Sequence, residues 1–398
     1  MVLKIIILIS VAFGYVHCQG CQIRIFTKLP NENGPIYLKR DINNQLHFLL
    51  PTERGIILNA GEEIVLACTG KNNGFKLSPR DNLQAAYCSR DTYFNIFGQN
   101  LPIADIKCLN PIMGEVRDVN KPCGKSGGVI KQIGFGVQNY WWTLISTCYD
   151  PNNGEAMYAI HTLVGTAQRD TEKLGDRPYF STNGAGRATN PIRAYRQPNQ
   201  IATFDKLLNS NDLAQRYIYP NSFLSKGHLA PVRDFPYKNW QAATFHFINV
   251  APEWYQVNSG NWNELEMLTR SVAKNYRANF LIISGVHDLL QLPNRNNQNV
   301  NIYLESGSKL PAPKYLWKIV IHTQTKDGIV FVALNNPFTN SANEESFCTD
   351  VCDKAGFGSN LWKNSTAGLV NCCDVNEFKT IVKYLPNFGQ VNGLLRKL

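Results

Sequence analysis

The 398-residue sequence lacks internal repeats and long low-complexity tracts, and beyond residue 18 it has no run close to the roughly 20 apolar residues of a transmembrane helix. Charged residues make up only 18% of the chain and hydrophobic residues 44%, which excludes wholesale disorder and permits a sizeable core. Acidic residues are fewer than basic residues, with 30 Asp and Glu against 40 Lys and Arg, which gives a formal net charge of +10. This excess favours a polyanionic partner, such as nucleic acid, a heparin-like glycan or an anionic membrane surface, without choosing among them.

The N-terminus has the layout of a secretory signal peptide. A short basic start is followed by an apolar run from Ile5 to Val16, which is too short to span a bilayer comfortably. Val16 and Cys18 then occupy the small-residue positions before a cleavage site. We therefore predict a signal peptide over residues 1–18 and a secreted, extracellular protein with no stable membrane association. A buried strand or an uncleaved anchor is the alternative.

Cysteine is absent from residues 149–347 but frequent on either side. Ten cysteines follow the predicted cleavage site: Cys21, Cys68, Cys88, Cys108, Cys123, Cys148, Cys348, Cys352, Cys372 and Cys373. An even number in a secreted chain predicts disulfide bonds, although the sequence leaves their pairing open. The last four resemble zinc ligands, but their spacing is poor and an oxidising compartment favours disulfides. Asn364-Ser365-Thr366 is an N-glycosylation sequon and predicts a glycosylated surface loop.

The distribution of cysteines divides the chain into two predicted parts. A small disulfide-rich β domain is expected over residues 19–125, where short apolar runs alternate with turns, and a mixed α+β domain over residues 126–398. Residues 121–128 look like a linker, and the Gly-x-Ser-x-Gly pattern inside them lacks the strand-to-helix context of a nucleophile elbow. Apolar spacing predicts a helix over 262–276 and, more weakly, over 375–385. Strands are predicted over 140–148, 280–284, 316–323 and 329–334.

Three neighbouring segments of the cysteine-free region carry chemically informative residues. Ser225-Lys226-Gly227-His228 comes first, then a strand-like stretch over 245–249 that leads to Asn258, then a helix that opens at 261 and carries Glu266. Asn258 and Glu266 would share one face of a helix that begins near Asn258. Asparagine offers a neutral oxygen to a hard cation such as Mg²⁺, and neutral imidazole is a suitable general base near pH 7. A base, an oxygen-bound metal and nearby cations are the groups that phosphodiester hydrolysis needs.

The order and spacing of these segments resemble the DNA/RNA non-specific endonucleases, the ββα-metal (His-Me finger) nucleases. The family motif D-R-G-H is matched by 225–228, with Ser for Asp and Lys for Arg. S-N-x-x-P-Q is matched by 248–253 with Glu253 for the final Gln, and L-N-x-x-x-W-x-x-L-E by 257–266 with Val for Leu. The resemblance covers roughly residues 140–385, and the long N-terminal extension and C-terminal cysteines are similar to secreted arthropod members that include double-stranded ribonucleases. It implies an α+β fold with a ββα-metal core in a mixed sheet and helix domain, preceded by the small disulfide-rich β domain.

The resemblance also implies roles for individual residues. His228 is expected to be the general base, Asn258 the direct protein ligand of Mg²⁺ with Mn²⁺ able to substitute, and Glu266 a holder of metal-bound water. Asn249 is expected to help position the site. The alternative for His228 alone is a packing histidine, for Asn258 a helix N-cap, and for Glu266 a solvated helix residue.

A transition-state arginine lies upstream in the family. Arg177 is the best match in this sequence, and Arg193 and Arg196 are rivals. Lys226 is expected to contact phosphate, less bidentately than the family arginine. The function implied is a secreted, Mg²⁺-dependent, sequence-nonspecific endonuclease that acts on the phosphate backbone of DNA, RNA or both, double strands included. A catalytically weak polyanion-binding protein that reuses the fold is the alternative, and the oligomeric state is open.

Overall fold

The computed structural model describes residues 20–30, 32–125, 127–169, 171–339 and 347–398. The predicted signal peptide, residues 1–18, lies outside the described residues, as does Ser126 of the Gly-x-Ser-x-Gly pattern. In the part of the chain that is described, no helix has both the length and the apolar character needed to cross a membrane.

The N-terminal part is built from short antiparallel strands. Six of them form one sheet in the order β3-β2-β5-β6-β7-β8, and β1 pairs with β4. The elements are β1 (Cys21–Ile23), α1 (Ile25–Lys28), β2 (Ile36–Arg40), β3 (Leu46–Phe48), β4 (Ile56–Leu58), β5 (Glu63–Ala67), β6 (Leu83–Arg90), β7 (Tyr93–Ile96) and β8 (Gln99–Pro102). Disulfides Cys21–Cys88 and Cys68–Cys108 tie strands that are distant in the chain. The predicted disulfide-rich β structure is confirmed.

An antiparallel sheet of eight strands forms the centre of the rest of the chain, in the order β22-β21-β20-β15-β12-β11-β10-β9. Strands β20 and β21 are buried along nearly their whole length because both faces of the sheet are covered. The four strands predicted from apolar runs are confirmed. The strands are β9 (Glu115–Pro122), β10 (Val129–Val137), β11 (Tyr140–Asp150), β12 (Glu155–Val164), β15 (Asn279–Leu289), β20 (Pro313–His322), β21 (Gly328–Leu334) and β22 (Val370–Cys373).

Helices cover the two faces of this sheet. On one face the predicted long helix forms with Trp262 and Leu265 fully buried, and on the other the shorter C-terminal helix packs Phe378 against Trp317 at 5.5 Å. Both helix predictions are confirmed, and the α+β fold class with them. The helices are α2 (Pro191–Ala194), α3 (Gln197–Leu208), α4 (Asn211–Tyr217), α5 (Lys238–Ala243), α6 (Tyr255–Asn258), α7 (Asn261–Tyr276), α8 (Cys352–Ala355) and α9 (Val375–Ile381).

Three two-stranded sheets complete the fold. They are β13 (Leu224–His228) with β14 (Val250–Trp254), β16 (Gln291–Pro293) with β17 (Asn299–Asn301), and β18 (Tyr303–Glu305) with β19 (Lys309–Pro311). The last two lie in the connection between β15 and β20, and the first, β13 with β14, packs against α6 and the central strands β12 and β20.

The predicted opening of the long helix at Asn261 is confirmed. The condition under which Asn258 would share its face is not met, because Gly260, with φ −94° and ψ −123°, separates the single turn of α6 from α7. One local prediction in this region is wrong. The strand expected over 245–249 is replaced by a 3₁₀ turn at Phe247–Asn249. The aromatic residues of this stretch are buried by packing against neighbouring rings rather than by pairing in a sheet.

The linker predicted over residues 121–128 is also wrong. Strand β9 continues to Pro122, β10 begins at Val129, and the two strands pair. The two strands therefore form a hairpin, and Gly124 and Gly127 between them have φ of 61° and 90°. The Cys123–Cys148 disulfide fastens the end of this hairpin to β11.

All ten cysteines of the described chain form disulfides, as predicted. The C-terminal four pair as Cys348–Cys373 and Cys352–Cys372, which excludes their use as zinc ligands. Asn364 of the sequon is exposed at the start of a 3₁₀ turn, so the predicted surface position is confirmed.

Candidate active site

The antiparallel pair β13–β14, followed by α6 and α7, forms the ββα unit that carries the candidate site. The register places Ser225 opposite Glu253 and His228 opposite Val250. Gly227 is required between them, because a Cβ atom there would lie 1.9 Å from the Cδ atom of Glu253. A side chain at 227 would thus displace the buried carboxyl group of Glu253.

His228 is a neutral imidazole in an aromatic pocket. Its ring centroid lies 5.1 Å from that of Phe180 and 4.9 Å from that of Phe245. Burial, together with the positive charges of Arg177 and Lys226, lowers the pKa of His228 to about 3. The Nε2 atom is buried and has no hydrogen-bond partner in the described structure. An imidazole with an unpartnered nitrogen is able to accept a proton from a bound group.

Asn258 presents an amide oxygen whose direction is set by Ser225. The Nδ2 atom of Asn258 donates to Ser225 Oγ at 2.9 Å, and this hydroxyl donates to the carbonyl oxygen of Glu253 at 2.8 Å. Because the hydroxyl has already given its proton, the amide nitrogen must face it and the amide oxygen must face away. Ser225, a departure from the family motif, therefore orients the proposed ligand. The N-cap alternative for Asn258 is wrong, since Gly260 occupies that position of α7.

Glu266 lies on α7 among charges of both signs. Burial and the carboxylate of Asp234 raise the pKa of Glu266 to about 7, while Lys318, Arg270 and Arg177 act in the opposite direction. The side chain is partly buried rather than solvated. Near neutral pH it is therefore close to half ionised, and nearby positive charge shifts it toward the carboxylate form.

Sequence reasoning missed a buried ionic cluster behind Glu266. Asp234 bonds through Oδ2 to His161 Nε2 at 2.8 Å and accepts through Oδ1 from Arg270 Nη1 at 3.2 Å. Lys318, 1% exposed, donates to Ser284 Oγ at 2.7 Å. Arg270 stands four residues after Glu266 on one helix face, which is a signal in the sequence. Asp234, His161 and Lys318 come from separate segments, and no local pattern connects them.

Glu253 stands where the family motif has Gln, and its carboxyl group is fully buried. Both oxygens lack a hydrogen-bond partner within the described residues. Burial raises the pKa of Glu253 well above its ordinary value, and the charge of Glu266 raises it further. A protonated carboxyl group is neutral and close in shape to an amide. The replacement thus keeps the local charge that Gln would give.

The other predicted residues fall into two groups. Asn249 is fully buried, and its side-chain amide hydrogen-bonds the backbone. The amide oxygen accepts from Ala230 N at 2.9 Å, and the amide nitrogen donates to the carbonyls of Ala230 and Thr244 at 3.1 Å. It therefore braces the turn after His228 and has no free group for substrate. The guanidinium of Arg177 lies over the ring of Phe245 at 5.5 Å.

Lys226 is exposed, and its ammonium group lies over the Phe180 ring at 5.3 Å. Burial of its stem lowers the pKa of Lys226. Arg193 and Arg196 are exposed near the junction of α2 and α3. Neither shares a hydrogen bond or ring contact with His228, Asn258 or Glu266 in the described structure. The geometry thus gathers Arg177 and Lys226, but not Arg193 and Arg196, around His228.

A phosphodiester hydrolase needs a proton-accepting imidazole, an oriented oxygen donor and nearby cations. The ββα unit supplies the first two and Lys226, and Arg177 comes from the segment before it. Residues 126–378 match the family model of the DNA/RNA non-specific endonucleases. The chain belongs to that family, which consists of metal-dependent enzymes that hydrolyse nucleic acids, and the family prediction is confirmed.

Three relatives illustrate the range of the match. A salivary endonuclease of Lutzomyia longipalpis is 30% identical over 91% of this chain and 83% of its own length. The salivary protein Tsal2A of Glossina morsitans morsitans is 24% identical over 94% of both chains. The mitochondrial nuclease EXOG of Danio rerio is 27% identical over 42% of this chain and 53% of its own.

Proposed function

We propose that this chain is a secreted, Mg²⁺-dependent endonuclease that cuts DNA and RNA, including double strands, with little sequence preference. The observation that carries the proposal is the hydrogen bond from Asn258 to Ser225, since it orients an oxygen ligand in the same ββα unit that holds the unpartnered Nε2 of His228. An amide oxygen is a ligand that a hard, largely hydrated cation accepts.

In the proposed mechanism, His228 takes the proton of the attacking water at Nε2. Burial is the main cause of the low pKa of His228, and the negative phosphate of a bound substrate raises its basicity by offsetting the smaller contribution of the charges of Arg177 and Lys226. Arg177 then stabilises the charge that develops on the phosphate oxygens.

Asn258 would hold the cation directly, and ionised Glu266 would hold it through water. When bound, Mg²⁺ would supply Lewis-acid stabilisation of the phosphoryl oxygens and the leaving group. Mn²⁺, which accepts the same oxygen ligands, should substitute. Asn249 is a positioning residue in this scheme.

Binding to the phosphate backbone accounts for the lack of sequence preference. The net charge of +10 and the exposed Lys226 favour contacts with phosphates, which carry no sequence information. Arg193 and Arg196 remain proposed as further, more distant phosphate contacts.

Secretion is supported by five disulfides, which persist in oxidising compartments. Relatives from Lutzomyia longipalpis and Glossina morsitans morsitans carry the word salivary in their names. We also propose an N-linked glycan at Asn364, which is exposed.

The test is side-by-side digestion of plasmid DNA, single-stranded DNA, double-stranded RNA and single-stranded RNA. We expect degradation with added Mg²⁺, none in excess chelator, and recovery with Mg²⁺ or Mn²⁺. Binding without cleavage under all conditions would favour the polyanion-binding alternative. Cleavage in excess chelator would remove the role of Asn258.

A further inference from the structure

Tyr179 is an aromatic side chain held in solvent beside the candidate active site. It is 98% exposed, although the residues around it, Arg177 and Phe180, both lie against the aromatic rings that surround His228. No described residue stacks on its ring or hydrogen-bonds its hydroxyl. Burial of so large a ring is favourable. A ligand that covered the exposed ring of Tyr179 would gain this free energy.

The backbone around Tyr179 is anchored. The Phe180 ring packs against that of His228 at 5.1 Å, and Ser181 N donates to the carbonyl of Phe245 at 2.8 Å. Phe180 is turned inward against His228, while the neighbouring Tyr179 points into solvent. The ring is therefore presented by a fixed backbone rather than by a long free loop.

Arg177, whose guanidinium lies over the Phe245 ring at 5.5 Å, stands two residues before Tyr179 in the chain. A cation that can hold a phosphate and a ring that can hold a base therefore belong to one short segment beside His228. A nucleic acid strand offers both groups in each nucleotide, and stacking on an aromatic ring tolerates any base.

We propose that Tyr179 stacks on an unpaired nucleobase next to the phosphate held at His228, so that the site favours strands with accessible bases. This inference rests on the proposed nuclease function and specifies its substrate. In a duplex each base is already stacked between its neighbours, and extruding it costs free energy. Duplexes are then cut through backbone contacts alone, with no help from Tyr179.

The test measures binding of a labelled single-stranded oligothymidylate and of an equally long strand that carries only abasic sugars, in chelator so that neither is cut. Tyr179→Ala should weaken binding of the base-bearing strand by about 5- to 100-fold and leave the abasic strand unchanged. Tyr179→Phe keeps the ring and should bind both strands as the wild type does. Ile42→Ala, at a fully exposed site in the N-terminal sheet region, is the control and should change neither.

Three outcomes would overturn the inference. They are unchanged binding by Tyr179→Ala, an equal loss on both strands, and a loss in Tyr179→Phe, which would assign the contact to the hydroxyl. Cleavage of plasmid DNA in Mg²⁺ separates this failure from that of the proposed function. A wild type that neither binds nor cuts any nucleic acid contradicts the function itself, whereas an active wild type with an indifferent Tyr179 contradicts only the stacking.

Discussion

Glu266→Gln should make the protein more stable and less active, with a stability gain that depends on pH. Folding raises the pKa of Glu266 from its ordinary 4.5 to about 7. Below pH 4.5 the carboxyl group is protonated in both states, and the folded protein incurs no penalty. Between 4.5 and 7 the unfolded chain ionises first, so stability is lost as pH rises. Since a tenfold change in an ionisation constant is worth about 1.4 kcal/mol, the loss reaches roughly 3 kcal/mol above pH 7.

Urea unfolding of both proteins in chelator, from about pH 4 to about pH 8.5, measures this difference. Glutamine stays neutral throughout, so the two curves should agree in acid and diverge toward neutral pH. The groups that face Glu266 are Lys318, Asp234, Arg270 and Arg177, and burial outweighs their sum. Cleavage should fall in the same variant, because an amide holds metal-bound water less well than a carboxylate.

Glu264→Gln is a matched control. Glu264 lies two residues before Glu266 on α7 and about 200° from it around the helix axis. It should show no such divergence. A Glu266→Gln gain that is the same at every pH would refute the reasoning, since it would show that the carboxyl group ionises as easily in the folded protein as in the unfolded one.

Four shorter predictions follow from the same site. His228→Ala should lower single-turnover cleavage by about 10² or more while substrate affinity changes little; cleavage at the wild-type rate would contradict the assignment. Lys226→Ala should weaken binding and flatten its salt dependence by about one phosphate contact, measured by salt-titrated binding curves. Glu253→Gln should stay active and gain stability over the wild type as pH rises, because the pKa of Glu253 is raised in the folded state. Identical urea unfolding curves for the variant and the wild type at alkaline pH would count against this. Digestion of a mixed-sequence substrate should give no discrete fragments, and reproducible bands would indicate base reading.

Those parts of the fold that follow from local periodicity could be predicted from the sequence. The strands β11, β15, β20 and β21 are apolar runs buried in one sheet, and the helical spacing of Trp262 and Leu265 marks the buried face of α7. Turn residues were harder to interpret. The glycines of 121–128 indicated a linker, yet the residues on both sides pair as strands. The division into domains at 125/126 stays a prediction.

The site divides in a similar way. His228, Asn258 and Glu266 were predictable from motif spacing, and their roles stay predictions. The buried cluster behind Glu266 was not predictable, because its members come from distant segments. His161 and Asp234 are 73 positions apart, and Ser284 and Lys318 are 34 apart. Ion pairs between distant segments depend on the topology of the sheet, which no short window contains.

The disulfides of the larger sheet lie near its two edges. Cys372 and Cys373 belong to the outermost strand β22, and Cys123 follows the opposite outermost strand β9. Edge strands are where a sheet frays and where it recruits a second chain. At one edge a disulfide fastens the chain just after β9 to β11, and at the other two disulfides tie β22 to Cys348 and Cys352, while residues 149–347 contain no cysteine. Reducing agents should therefore release the edge strands of this sheet first. The protein should then aggregate before its chemistry is impaired.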